Sequence, residues 1–197
     1  MSISLNEIGI NSGKKLQRAI YSYKLIDVKD TLKAVGTVGA HHDNIEILFP
    51  ALSALSQSNF DEQSSDSLIT KVENAYDNFG NLVTYKETAA GETLDAKIDY
   101  HNLSDKYIVS VPSRIVVSSA GKTYRERSTE VNQNGEITEI TLSNAPKAFS
   151  VYNMTYDGYG NITRMTKPEN YNHQRMFYAY TYDDRYHSLV TSVKDAY

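Results

Sequence analysis

Polar and apolar residues alternate in short runs through most of the C-terminal two thirds of the chain. Residues 69–76 and 82–86 form one pair of alternating runs, and residues 150–156 and 162–166 form another. Alternation with a period of two is typical of half-buried β-strands. Each pair brackets an Asp-x-x-Gly segment, in which the carboxylate can accept backbone N–H bonds and the glycine supplies a positive φ. The pattern predicts two antiparallel β-hairpins.

The two predicted turns are copies of one phrase, Tyr-Asp-x-aromatic-Gly-Asn-aliphatic. It starts at position 76 and again at position 156, 80 residues later. An internal duplication of this kind indicates a repeat architecture, in which each unit needs its neighbours to bury its apolar face. The turn residues that we predict to be structural are Tyr76, Asp77, Gly80 and Asn81 in the first copy, and Tyr156, Asp157, Gly160 and Asn161 in the second.

Two weaker turns accompany the duplicated phrase. Asn134-Gly135 lies between alternating runs, and an Asn-Gly pair in that setting is a strong hairpin signal. Tyr182-Asp183 opens like a further copy, but no glycine follows within the phrase. We expect both segments to be turns of the same sheet.

The first third of the chain is less regular. Residues 1–30 predict two or three strands, and residues 31–48 are compatible with either strand or loop. Residues 50–56 are the best helix candidate because Pro50 suits a first helical turn. Residues 57–67 are rich in Ser, Asp, Gln and Asn and read as a polar linker. This predicts an N-terminal segment, 1–67, and a repeat region, 68–197.

Proline and tyrosine refine this all-β prediction. Pro112 cannot donate a ladder hydrogen bond, so we expect a strand start, an edge or a bulge there. Tyrosine is 16 of 197 residues, while Trp and Cys are absent. Tyrosine favours half-buried pleated surfaces, where its ring packs and its hydroxyl finds a partner. Cross-strand packing explains the enrichment better than a sugar-stacking surface does.

Charge and hydropathy narrow the classes of partner. The formal net charge is −4, so the chain lacks the basic footprint of a nucleic-acid-binding protein. No apolar run approaches the roughly 18 residues of a membrane helix, and the first residues show no signal peptide. We therefore predict neither a nucleic-acid partner nor a membrane-spanning helix.

Residues with catalytic or metal-binding chemistry form no convincing constellation. His41-His42-Asp43 is the densest group, but neighbouring strand residues point to opposite faces and a solvated turn explains it better. Asp77 and Asp157 stand where a turn needs an acceptor, which favours capping over catalysis. The chain has no Gly-x-Ser-x-Gly elbow and no phosphate-cradling glycine loop. We predict a protein that is not an enzyme, without catalytic, cofactor-binding or metal residues.

The repeated phrase resembles the YD repeats of the Rhs/YD-repeat proteins, which also occur in insecticidal toxin complexes and teneurins. The resemblance covers residues 72–197 and is carried by the phrases at Tyr76 and Tyr156 and the partial copy at Tyr182. It implies antiparallel hairpins in a continuous curved or spiral sheet, part of a bacterial, secreted or cell-surface shell that encloses a C-terminal toxin or effector domain. The alternative is a cell-surface module that binds carbohydrate or protein.

The resemblance also sets expectations about partners. The chain reads as a segment of a longer array, so its partners would be the remainder of a larger YD-repeat protein or its toxin domain, with carbohydrate as the alternative ligand. Neither end resembles the polar cap that a repeat array requires. We expect the end strands to present unpaired edges that favour self-association.

Overall fold

The chain folds as an all-β protein in the computed structural model, which describes residues 2–8, 15–27, 48–60, 67–145 and 148–196. Thirteen strands form one antiparallel sheet in which hydrogen-bonded neighbours follow the chain order. A single 3₁₀ turn, Ser104–Lys106, is the one helical element in these ranges. Within them, no helix has the length and apolar character needed to cross a membrane. The predicted all-β, antiparallel class is confirmed.

The strands are β1 (Ser2–Ile8), β2 (Lys15–Asp27), β3 (Leu48–Phe60), β4 (Ser67–Tyr76), β5 (Leu82–Ala89), β6 (Glu92–Leu103), β7 (Ile108–Ser119), β8 (Lys122–Val131), β9 (Ile137–Ala145), β10 (Ala148–Tyr156), β11 (Ile162–Glu169), β12 (Arg175–Tyr182) and β13 (Val190–Asp195). The two candidate assignments for residues 31–47, and the His41-His42-Asp43 group, lie outside the described residues.

The helix predicted at residues 50–56 is wrong, because these residues lie in the middle of β3. Ala51 pairs with Lys24 of β2, and Leu55 pairs with both Tyr21 of β2 and Val72 of β4. A seven-residue helix is marginal without packing, whereas a strand with two neighbours satisfies its backbone on both sides. Ala51 is also the most buried described residue, at 1% exposure.

The polar segment 57–67 is not a linker along its whole length. Residues 57–60 complete β3 and pair with β4, and Ser67 opens β4. Polar side chains are tolerated here because one face of a single-layer sheet meets solvent. The N-terminal strands thus continue the sheet directly into the repeat region.

The chain divides into two compact units. One consists of residues 1–98 with 117–124, and the other of residues 99–116 with 125–197. The predicted division between residues 67 and 68 remains a prediction. Burial is thin in both: Ala51 is buried in the first unit, and Met154 and Thr129 are buried in the second. Most other described strand residues are half-buried or exposed, so each strand depends chiefly on the strands beside it.

Pro112 lies inside β7, which has a neighbouring strand on each side, so the strand start and the edge are wrong for that residue and the bulge stays a prediction. The hydroxyl of Thr129 in β8 donates to the carbonyl oxygen of Pro112. The carbonyl oxygen of Thr129 forms a hydrogen bond with the ring nitrogen Nε2 of His101, at 2.7 Å. A carbonyl oxygen only accepts, so His101 donates from Nε2. Pro112 has no backbone N–H to donate. The imidazole of His101 donates to β8, the strand next to β7.

Two tight turns in the first unit use the same Ala-Gly pair. Ala90-Gly91 joins β5 to β6, with φ values of 50° and 83°, and Ala120-Gly121 joins β7 to β8, with 49° and 77°. Two consecutive positive φ angles are the signature of the type I′ hairpin turn. Alanine is strained in this region, where asparagine is tolerated.

Replacing these alanines by asparagine should therefore stabilise the protein. We expect Ala90→Asn and Ala120→Asn each to raise the free energy of unfolding by about 0.5 kcal/mol, because Asn relieves part of the left-handed strain. Urea denaturation followed by circular dichroism measures the effect. Ser119→Asn, one residue away in β7, is the matched control and should give no gain. A loss of stability at both alanine sites would contradict the turn assignment.

Candidate functional site: the joints between hairpins

Each copy of the duplicated phrase closes a hairpin through one aspartate. Asp77 accepts the N–H groups of Phe79 and Asn81 at Oδ1, at 2.9 and 2.8 Å, and the side-chain amide of Asn81 at Oδ2, at 2.9 Å. The backbone N–H of Asp77 donates to the carbonyl of Asn81, and Gly80 N–H donates to the carbonyl of Asp77. One carboxylate thereby organises the whole turn.

The second copy repeats this geometry. Asp157 accepts the N–H groups of Tyr159 and Asn161 at 2.9 Å each, and the Asn161 side-chain amide at 3.0 Å. Gly160 has φ = 84°, matching 82° at Gly80. The predicted turn residues therefore have the same roles 80 residues apart.

The third turn has the same geometry with the side chains exchanged. Asn132 Oδ1 accepts the N–H groups of Asn134 and Glu136, and Asn132 Nδ2 donates to the Glu136 carboxylate at 2.6 Å. Amide and carboxylate have traded places relative to Asp157 and Asn161. The predicted pair Asn134-Gly135 lies at the tip, where Gly135 has φ = 81°. Sequence inspection found the Asn-Gly tip and missed the Asn132–Glu136 pair, although its four-residue spacing matches the duplicated phrase.

Two further turns also have an Asn or Asp side chain as the acceptor of backbone N–H groups, but they contain no glycine. Asn170 Oδ1 accepts the N–H groups of Asn172 and Gln174, and His173 takes the positive-φ position at 58°. Asp183 closes a longer loop and accepts four N–H groups, those of Arg185, Tyr186, Ser188 and Leu189. There His187, with φ = 54°, occupies the position that glycine has elsewhere.

These hydrogen bonds set the electrostatics of the turns. The side-chain hydrogen bond from Asn161 is the main cause that holds the pKa of Asp157 below its usual 3.8. The backbone N–H of Tyr186 is the main cause that lowers the pKa of Asp183. Donors that bind the ionised form stabilise it. Both carboxylates are therefore anionic acceptors at neutral pH.

The tyrosine of each phrase connects its hairpin to the preceding one. Tyr76 in β4 donates its hydroxyl to the carbonyl of Leu52 in β3, at 3.2 Å. Tyr156 in β10 donates to Ile137 in β9 at 2.7 Å, and Tyr182 in β12 donates to Ile162 in β11 at 2.9 Å. Partial burial is the main cause that raises the pKa of Tyr156, with the Glu136 carboxylate second, so its hydroxyl keeps its proton.

The strand register shows that these positions are equivalent. The pair that closes each hairpin is Tyr76–Leu82, Tyr156–Ile162 or Tyr182–Val190, and a shift in register directly precedes it each time. In the third turn the closing pair is Val131–Ile137, so valine replaces the tyrosine. That hairpin binds β7 through Thr129 instead, and Lys106 donates to the carbonyl of Gln133 at 2.5 Å.

The glycine of each turn lies against the preceding hairpin. A Cβ on Gly135 would lie 2.6 Å from Cδ1 of Ile108, and a Cβ on Gly160 would lie 3.1 Å from the Glu136 carboxylate. Glycine is needed here for close approach as well as for its positive φ. In the longer loop the His187 ring stacks on Tyr159, with centroids 4.0 Å apart, and Asn161 donates to the His187 carbonyl at 2.5 Å.

The chemistry available at these joints is structural. The Asp77 and Asp157 carboxylates are bound by turn donors at both oxygens, and the phrase tyrosines donate to carbonyls. In the described ranges, no group of three or more His, Asp or Glu side chains is arranged to hold a metal ion. The joints bring together the predicted Tyr, Asp, Gly and Asn residues of each phrase, and the two copies belong to different units.

Comparisons with known proteins leave the family open. No protein-family model matches this chain, and no curated protein sequence does. Among solved structures, the chain is similar to a porin-like protein from Bacteroides uniformis, with 16% identity and a TM-score of 0.41, over 98% of this chain and 88% of that one. A likeness at this TM-score carries no argument about fold or function.

The exchanged pair in the third turn yields a test by mutation. Asn132→Asp removes the amide donor and places a carboxylate beside Glu136, so we expect a loss of about 1–2 kcal/mol of stability at neutral pH. Adding Glu136→Asn should restore most of it, because the double variant recreates the Asp157–Asn161 arrangement. Urea melts of the single and double variants measure the coupling. Asn134→Asp adds the same charge two residues away and is the control; an equal loss there would contradict the pairing.

The lowered pKa values make the turns sensitive to acid. A carboxylate whose pKa is depressed by folding adds stability above its unfolded value, near 3.8, and loses that contribution as the pH falls through its folded pKa. We expect the melting temperature to fall below about pH 4. Asp157→Asn should be less stable at pH 7, but its melting temperature should fall less between about pH 4 and pH 2. Asp184→Asn is the control, because Asp184 is the exposed neighbour of Asp183. The melting temperature of this variant should fall as much as that of the unchanged chain.

Proposed function

We propose that this chain is a structural repeat segment of a YD-repeat protein, a part of a β-sheet wall that encloses a C-terminal toxin or effector domain. The observation that carries the proposal is the Tyr-Asp pair that recurs at residues 76, 156 and 182. The aspartate closes its own hairpin, and the tyrosine hydroxyl binds the hairpin before it. Such a joint depends only on the nearest neighbours, which is the basis of repeat architectures.

The thin burial supports a wall rather than a globular domain. Among the residues whose burial the structure describes, Ala51, Thr129 and Met154 are the buried ones, and they are spread over both units. In the first unit Glu73, Lys86 and Asp95 lie directly opposite one another on three successive strands, so charges of alternating sign cover that face. Opposite charges on neighbouring strands stabilise a solvated sheet surface without a second layer.

A second candidate function is a surface module that binds carbohydrate. An open groove in the first unit is lined by Tyr124 with Glu87, Glu92 and Thr93. Tyr124 is 59% exposed, and an exposed ring with polar neighbours suits stacking against a sugar. The groove contains one aromatic ring where sugar sites generally use several, so the wall has the stronger support.

The proposal predicts a parent polypeptide longer than this chain. An antibody raised against the exposed Tyr159 turn, used on a denaturing blot of extracts from the source organism, should detect a band much larger than a 197-residue chain. The recombinant chain is the size standard. A single band that migrates with this standard would overturn the proposal. Binding of a neutral oligosaccharide that is lost in Tyr124→Ala would then favour the second candidate.

A further inference from the structure

We infer that the edge of β13 that no described strand covers is a docking surface for a further β-hairpin that ends its first strand in Tyr-Asp and carries a glycine three residues later. The inference deepens the proposed function and rests on it. The partner is defined by three groups that it must supply. Its tyrosine hydroxyl binds one carbonyl of this surface, its glycine lies over one side chain, and its strand pairs with the edge of β13.

The acceptor in this surface is identified by register. Ile137 and Ile162 are the residues that close the β8–β9 and β10–β11 hairpins, and their carbonyls accept Tyr156 and Tyr182. Val190 closes the β12–β13 hairpin in the same way, opposite Tyr182. Its carbonyl therefore has the position at which the next tyrosine hydroxyl would bind.

In the two joints of the second unit, the residue before the acceptor contacts the next turn. Glu136 lies against Gly160, and Asn161 binds the carbonyl of His187. Leu189 is the corresponding residue in the last hairpin, since its backbone closes the Asp183 loop as Asn161 closes the Asp157 turn. An incoming glycine would fit over Leu189 as Gly160 fits over Glu136.

Exposure distinguishes the last joint from those inside the sheet. Ile137, Ile162, Glu136 and Asn161 are all half-buried. Their counterparts Val190 and Leu189 are 52% and 59% exposed, and Val193 on the same strand is 58% exposed. Every residue of β13 is exposed. Apolar side chains on an edge strand with one neighbour are typical of a surface that another strand covers.

The repeated joint decides which occupant fits. The three Tyr-Asp joints within this chain all cover a preceding strand with a strand of opposite direction. A hairpin of the same phrase reproduces the backbone pairing, the tyrosine bond and the glycine contact together. A second copy of this chain paired through β13 would not offer the tyrosine of a Tyr-Asp phrase from its last hairpin, because Tyr182 is already bound to Ile162.

The test uses the full chain and a hairpin peptide with the sequence of residues 148–169, labelled with fluorescein. Cysteines that replace the opposed residues Asn153 and Thr166 close the peptide with a disulfide, which the cysteine-free chain cannot exchange with. Circular dichroism establishes that the closed peptide is a β-hairpin. Fluorescence anisotropy at rising chain concentration should then show saturable binding.

Two matched changes locate the contact. The peptide with Tyr156→Phe should bind about five-fold more weakly, because it lacks one hydroxyl donor. The chain with Val193→Lys should lose saturable binding, since lysine on an edge strand opposes pairing. Leu5→Lys is the control on the other end strand, at the same 58% exposure, and should bind as the unchanged chain does.

Several outcomes would overturn the inference. They are absence of saturable binding by the folded peptide, equal affinity of the phenylalanine peptide, and binding that survives Val193→Lys. A dimer of the chain alone, seen by light scattering and removed by Val193→Lys, would make a second copy the occupant. The proposed function fails separately, through the size of the polypeptide on the blot, so the two failures can be told apart.

Discussion

The structure depends on the Tyr-Asp pair at the end of a strand, because its two side chains satisfy two different backbones. The aspartate binds the N–H groups of its own turn, and the tyrosine binds a carbonyl of the strand before it. Two adjacent residues therefore close the hairpin and attach it to the strand before it. A single-layer sheet has little buried apolar surface to hold it, so these polar contacts carry an unusual share of its order.

The exchanged turn at Asn132 shows which part of this device is obligatory. The side chain at the first position must accept two backbone N–H groups, which both aspartate and asparagine do. In the Asp77, Asn132 and Asp157 turns the side chain four residues later complements the first one, and carboxylate or amide serves according to the first choice. The tyrosine is replaceable when other hydrogen bonds join the two hairpins: Thr129 donates to the preceding strand, and Lys106 of the preceding segment donates to the turn.

The left-handed position of the turn tolerates more than glycine when a neighbour compensates. His187 takes this position in the last loop, and its ring stacks in parallel on Tyr159 of the turn before. The stacking offsets the strain of a positive φ, which costs about 1–2 kcal/mol for an L residue. The glycines elsewhere admit the preceding hairpin instead. Both solutions bring successive turns into contact along one edge of the second unit.

The turns could be predicted from sequence because their chemistry is local. Asp77, Gly80 and Asn81 lie within five residues, and the acceptor, the positive φ and the returning amide are all encoded there. The alternation around them likewise indicates strands, since side chains on a pleat alternate at period two. The Asn132–Glu136 pair was not predicted, because the amide comes first and the carboxylate second, the reverse of the order in Asp157–Asn161, although the spacing is the same.

Only the tertiary structure decided the partners of these local elements. Residues 50–56 have a helical start signal, yet they form a strand because β2 and β4 offer hydrogen bonds on both sides. Pro112 is accommodated within a strand because His101 and Thr129 arrive from distant positions. The carbonyls that receive Tyr76, Tyr156 and Tyr182 lie 19 to 24 residues away. Local sequence specifies a donor, and the order of the strands selects its acceptor.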